Sequence, residues 1–313
     1  MTKSLLIYSL TFLIVAAAPA ASADTASANT ALQQGRADEA IAALEGINTA
    51  EAHDLRCRVY LSEDLADQAI SECEAAVNAA PGNSSYNLEL GQAYGAKAER
   101  AGAFSGMNLA RKVHASFEKA VQLEPSNIHA LSDLGEYYVE APGIVGGGID
   151  KAKKIAEQLQ KYSPSRAHRL LAMIAEKNKD YAAAETEYKN AGSAPADLVA
   201  LAGFYRKRGQ TQAMLTTINE AIAADKQHDD AIVDAASVLI HAQTSQKLAA
   251  QLLREYLASS AKSEETPAFA VHVRLGRLLA AEGDAAGAQQ EFAAAHALAR
   301  NYAPALKAAG QAK

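Results

Sequence analysis

The stretch NIHALSDLGEYYVEAPGIVGGGIDKAKKIAEQLQKYSP, residues 127–164, decides the fold. Leu134-Gly135 and Tyr138 fall on one helical face, the corner at 142–148 cannot continue a helix, Ala152 resumes the pattern and Pro164 stops it. This is a helix, a glycine-rich corner and a second helix. Its parts recur on either side. Leu-Gly-x-x-Tyr returns at Leu90-Gly91-Gln92-Ala93-Tyr94, and weaker copies stand at Leu201-Ala202-Gly203-Phe204-Tyr205 and Leu275-Gly276-Arg277-Leu278-Leu279. Recurrence at a spacing near 34 residues predicts stacked helical pairs, each too thin to bury its apolar face without a neighbour.

Composition agrees with an all-α chain. Aromatic residues make up 6% of the 313, Trp is absent, and helix formers such as Ala and Leu dominate, which suits thin helical layers. The net charge of -6 argues against a nucleic-acid binder, which needs a basic face to displace phosphate counterions. The first residues predict an export signal, residues 1–23. Lys3 gives the positive start, residues 5–15 form a short apolar run, and Ala21-Ser22-Ala23 is a small-x-small site with cleavage expected after Ala23. The run is short for a spanning helix, so no stable membrane insertion is expected after its removal. The expected location is the periplasm or the exterior.

Leu90-Gly91 with Tyr94 and Leu134-Gly135 with Tyr138, each followed by a second helix and a proline, resemble the tetratricopeptide repeat family over nearly all of residues 24–313. The corner before Lys151-Ala152 resembles exported bacterial members of unassigned function, and also the periplasmic repeat subunit of some TRAP-type solute transporters. The resemblance implies an α-solenoid of about eight helix-turn-helix units in a right-handed superhelix. It also implies binding of a protein or peptide in a concave groove, without catalysis. The units fall at about 27–49, 50–83, 84–127, 128–164, 165–194, 195–228, 229–266 and 267–301, with a covering helix at 302–313. Eight such units make roughly one superhelical turn.

In this register Cys57 and Cys73, the only cysteines, face each other across one helix pair. An oxidising compartment favours a disulfide, with two buried thiols as the alternative. Two insertions separate first from second helices in neighbouring units, at 97–108 and 142–148, and both project from one edge. They carry Phe104, Met107, Pro142, Ile144 and Val145, which form a functional edge or fold back to cover the repeats.

No local pattern carries chemistry. The eight histidines form no His-x-x-x-His or His-Glu-x-x-His, the triple glycine follows no strand, and no phosphate-cradling loop or nucleophile elbow is present. No enzyme activity, cofactor or metal is expected. The groove-facing positions are His129, Ser132, Glu136, Val139 and Glu140 in the fourth unit, then Arg166, Arg169, Met173, Glu176 and Lys177 in the fifth. Arg206, Lys207 and Arg277 follow, so the groove turns from acidic to basic along the chain and would orient a charged partner. A merely solvated helical face would look the same. Position nine carries no Asn, so a chaperone-adaptor carboxylate clamp is not supported. Three readings stay open: a periplasmic scaffold for a partner protein or peptide, a solute-binding accessory of a TRAP-type transporter with a pocket at Tyr137 or Tyr138, and a self-associating module using Phe104 and Val145. Partner identity and oligomeric state are not written in the sequence.

Overall fold

The computed structural model describes residues 18–311. The apolar run of the expected leader lies outside the described residues, and the expected cleavage site falls within the first helix. The described residues form helices and their connections, with no strand among them. In chain order the helices are α1 (Ala18–Gln33), α2 (Ala37–Ala43), α3 (Ala50–Ser62), α4 (Ala66–Ala79), α5 (Ser84–Ala98) and α6 (Ala103–Leu123). Then come α7 (Ile128–Glu140), a 3-10 turn at Gly143–Val145, α8 (Ile149–Leu159), α9 (Pro164–Lys177), α10 (Tyr181–Ala191) and α11 (Pro195–Lys207). The remainder are α12 (Thr211–Ala224), α13 (Asp230–His241), α14 (Gln246–Ala258), α15 (Ala268–Ala281), α16 (Ala285–Leu298) and α17 (Ala303–Gln311). None is long and apolar enough to cross a membrane.

Odd-numbered helices from α1 to α13 stack on one another as an inner layer, while each even-numbered helix packs on its own partner. Small residues set this spacing. A methyl group on Gly91 would overlap the Phe117 ring of α6, and one on Gly276 would overlap Phe292 of α16, so the second helix of each pair lies close against the first. Large residues such as Leu131 and Leu239, fully buried, fill the spaces between pairs and contribute about 2 kcal/mol each. Asn83 and Asn127 start α5 and α7 by accepting the backbone N–H three residues on, each stabilising its helix by about 1 kcal/mol.

Polar pairs repeat with the units. His53–Glu72, His168–Glu187 and His272–Glu291 join first to second helices at 2.6, 2.7 and 2.6 Å. The Tyr94, Tyr138 and Tyr205 hydroxyls donate back to Glu74, Glu118 and Glu185 on the preceding second helix. Burial first, and the adjacent carboxylate second, push these phenols above their ordinary range. Cys57 and Cys73 form a disulfide between α3 and α4 with their Cα atoms 5.2 Å apart, and closing a loop of sequence separation 16 contributes about 3 kcal/mol.

The turn closes. Eight units are expected to make roughly one superhelical turn, and here the two ends of that turn meet: α2 packs against α16, and one core joins Leu32, Leu44, Leu55 and Val59 to Phe269, Val273 and Ala295. Alanines on both sides, among them Ala28, Ala31, Ala295 and Ala299, let the helices approach. At Gly35, with φ of +67°, a side chain would strike the backbone of Ala268, so glycine is needed both for the turn and for the seam. Arg300 donates to Asp38 across the same seam at 2.9 Å. α17 packs on α15 and α16, and its Ala305 joins the same core.

The insertions divide between the two readings left open for them. Most of 97–108 is helix: α6 begins at Ala103 and runs 21 residues, because nothing after Gly102 breaks it. Val145 is buried, and its carbonyl accepts the Tyr137 hydroxyl at 2.6 Å, while Ile144 beside it is 72% exposed. A single 3-10 turn points its successive side chains apart, so only one of the pair can face outward.

Candidate binding lumen

The closed turn surrounds a lumen lined by the inner helices. Residues 259–266, a polar break by sequence, cross into it as a strut. The buried Tyr256 anchors the strut by donating its hydroxyl to the Thr266 carbonyl at 2.6 Å, and the Ser263 hydroxyl donates to the Asp230 carboxylate at 2.7 and 2.9 Å. The tip then reaches the far wall. Glu264 accepts from Gln33 at 3.0 Å and from both the Nε, at 3.2 Å, and the Nη2 of Arg58. Arg58 also donates to Asp54 and Asn29, both at 3.4 Å.

Beside the strut a cavity of about 310 Å³ is lined by Arg58, Glu89, Gln92, His129, Glu264 and Glu265. Its carboxyls are crowded. Burial first, and Asp54 second, push Glu89 up to about 8; burial outweighs Arg58 and lifts Asp54 to about 6. Glu63, fully buried where α3 ends, rises to about 7 through burial and the nearby Asp38.

A second cavity, of about 230 Å³, opens between α7, α9 and α11. Ser132 and Glu136 approach from α7, Arg166, Arg169 and Met173 from α9, and Gly203 and Lys207 from α11. Leu159, Leu170 and Phe204 add apolar lining. Arg166 donates to the Ser132 hydroxyl at 3.3 Å and Lys207 meets Glu176 at 3.3 Å, whereas Arg169 makes no hydrogen bond among the described residues. Burial and Asp133 raise the Glu136 carboxyl, against the opposing pull of Arg169 and Arg166. A third, wider cavity of about 850 Å³ lies between α13 and α15 and includes Asp234, Arg274, Arg277 and Tyr302.

Ser132, Glu136, Arg166, Arg169 and Met173 therefore come together, while His129 belongs to the cavity beside the strut and Arg277 to the third. Glu140 instead pairs with Lys177 at 2.9 Å on the exposed surface, and Arg206 is half-buried at the end of α11, outside these linings. Val139 is buried in the wall, and Glu176 serves the scaffold by accepting the Tyr188 hydroxyl at 2.6 Å. Tyr137 and Tyr138 are tied between helices, bonding Ala110 and Val145 in one case and Glu118 in the other, and neither lines the three cavities described. Phe104, Met107, Pro142 and Ile144 are exposed, with α6 and the 3-10 turn in contact. Sequence reasoning missed the strut, Glu89 and the pocket role of Gly203. Gly203 is visible in the register, where it counts only as a ninth position that is not Asn.

Within the described residues no group of three or more His, Cys, Asp or Glu side chains is placed to hold a metal. No protein-family model matches the chain. No curated protein matches it either. Solved structures do match. Yeast Tom70 aligns over 97% of this chain and 66% of its own, at 16% identity and a TM-score of 0.57. TTC0263, a thermophilic TPR protein of Thermus thermophilus, aligns over 71% of this chain and 100% of its own, at 18% identity and a TM-score of 0.48. A tetratricopeptide repeat protein from Parabacteroides merdae covers 84% of this chain and 98% of its own, at 14% identity and a TM-score of 0.42. With its paired helices, small-residue crossings and likeness to Tom70 along nearly its whole length, the chain has the tetratricopeptide-repeat fold.

Proposed function

We propose that this chain is a non-enzymatic periplasmic scaffold that holds a segment of a partner protein or a peptide against its luminal face. One observation carries the reading. The polar groups between first and second helices are paired within the scaffold, as in the three His–Glu bridges, while Glu136 and Arg169 stand in the lumen without a hydrogen bond among the described residues. Polar groups left unspent by the fold are free to serve a partner. The export signature and the Cys57–Cys73 bridge support the compartment. Phe104 and Ile144 offer a second contact at the insertion edge.

The test is photo-crosslinking in the native compartment with the probe at Glu136, and at Ala183 on α10 as control. A specific protein adduct from Glu136 alone is the expected result, and equal labelling from both sites removes the luminal reading. A small-solute accessory of a TRAP-type transporter is the second reading, favoured by the closure of the turn, which leaves cavities rather than a continuous open groove. Self-association through the insertion edge has less support, because Val145 is buried.

A further inference from the structure

The α7–α9–α11 cavity holds a feature that the scaffold itself does not require. Gly203 sits in the interior of α11 with ordinary helical backbone, and a side chain built there would meet nothing within 4 Å. Glycine inside a helix is destabilising relative to alanine, and at Gly91 or Gly276 a close neighbour compensates. At Gly203 no neighbour does. The missing side chain leaves open space in a cavity that Phe204 and Leu170 also line.

The cations around that space are not equally spent. Lys207 is paired with Glu176 and Arg166 donates to Ser132, whereas Arg169 lines the cavity beside Glu136 without a hydrogen bond among the described residues. Arg169 carries five N–H donors and uses none in a hydrogen bond among the described residues. A guanidinium above an apolar floor binds a planar oxyanion through paired N–H donors and leaves the rest of the ligand to the hydrocarbon. The volume, about 230 Å³, excludes a helix or a folded segment.

We propose that this cavity is a binding site for a small organic monocarboxylate with a compact branched or aromatic body. Arg169 and Arg166 hold the carboxylate, Lys207 adds long-range attraction, and the body fills the space above Gly203 against Leu159, Leu170, Met173 and Phe204. Glu136 sits opposite and keeps the net charge of the lining low, so a single negative charge is favoured over two. The inference rests on the preceding reading only in taking the luminal face as the working face.

Titration calorimetry and thermal shift on the full chain test it, with 4-methylpentanoate and phenylacetate as ligands and their primary amides as neutral controls. The acids are expected to raise the melting temperature while the amides do not, since binding to the native state must stabilise it. Arg169→Gln should weaken acid binding about tenfold or more, the loss of a charge-assisted hydrogen bond, with part recovered in Arg169→Lys. Gly203→Leu should abolish binding by filling the cavity, since the first atom of the added side chain meets nothing within 4 Å, and the unfolding midpoint of the variant, measured alongside, separates a filled cavity from a damaged fold. Equal binding of acids and amides, undiminished binding in Gly203→Leu, or no response to either acid overturns the proposal. Binding confined to a peptide that ends in leucine, with no response to the free acids, also overturns it, in favour of a partner segment. The Glu136 crosslink reports separately: an adduct without acid binding leaves the scaffold reading standing, and acid binding lost in Gly203→Leu without an adduct leaves only the ligand site.

Discussion

Arg58 and Arg169 both project from inner helices into the same lumen, and their situations are opposite. Arg58 is held by Glu264, Asp54 and Asn29, so its guanidinium closes the ring; Arg169 shares a cavity with Leu159, Leu170 and Phe204 and makes no hydrogen bond among the described residues. The lumen is therefore divided. One side is spent on fastening the two ends of the chain through the strut, and the other is left available. An arginine on a concave repeat face says little until its acceptors are known.

The division can be broken most severely at the seam. Phe269 is 1% exposed and its ring packs edge-on against Tyr302, with centroids 4.9 Å apart. Phe269→Ala should cost about 3–5 kcal/mol, seen as a lower unfolding midpoint, and should enlarge the radius of gyration in solution scattering if the ends separate. A variant that loses stability at constant size would mean that the strut alone keeps the ring shut. The next effect compares the two arginines directly. Arg58→Met should cost about 2 kcal/mol because it leaves Glu264 and Asp54 without their cation, while Arg169→Met should stay within about 0.5 kcal/mol of the parent. Equal losses from the two would erase the distinction.

Acidity acts on the seam side. Folding raises the carboxyls of Asp54, Glu63 and Glu89 to about 6, 7 and 8, so the folded state holds protons that the unfolded chain releases. The resulting stability is complete below the ordinary carboxylate range and is lost as pH rises through those values, so the melting temperature should fall between about pH 5 and about pH 9. Glu63→Gln and Glu89→Gln should flatten that slope. Glu72, whose carboxyl His53 and Arg56 lower against burial, acts in the opposite sense and at lower pH. A slope unchanged in the double variant would place the titration elsewhere.

The repeat and its paired helices were legible because their signals are local: Gly91, Gly135 and Gly276 stand at one register position, where Gly91 and Gly276 admit a phenylalanine of their own second helix and Gly135 admits Leu170 of α9 and Ile155 of α8. The closure was not legible. Arg58 and Glu264 lie 206 residues apart, and nothing in either neighbourhood names the other. The strut looked like a break because its ordering comes from Tyr256 and Asp230 reaching into it, not from a periodicity of its own. Of the candidate site, the charged positions were readable from the register. Which of them were already spent, as Glu140 is on Lys177, depended on side-chain reach.

The smallest predicted effect separates two glycines that look alike in sequence. Gly91 and Gly203 both lie inside inner helices, but Phe117 crowds the first and nothing stands within 4 Å of the second. Gly91→Ala should therefore destabilise by roughly 1–3 kcal/mol, since the Phe117 ring must leave its place in a packed crossing. Gly203→Ala should have the reverse sign and gain about 0.5–1 kcal/mol by improving helix propensity at no steric cost. Paired denaturant titrations would measure both. A loss at Gly203 of the size expected at Gly91 would mean that the cavity is filled in solution by a movement of α9 toward α11, and the open half of the lumen would then be spent on the scaffold just like the seam.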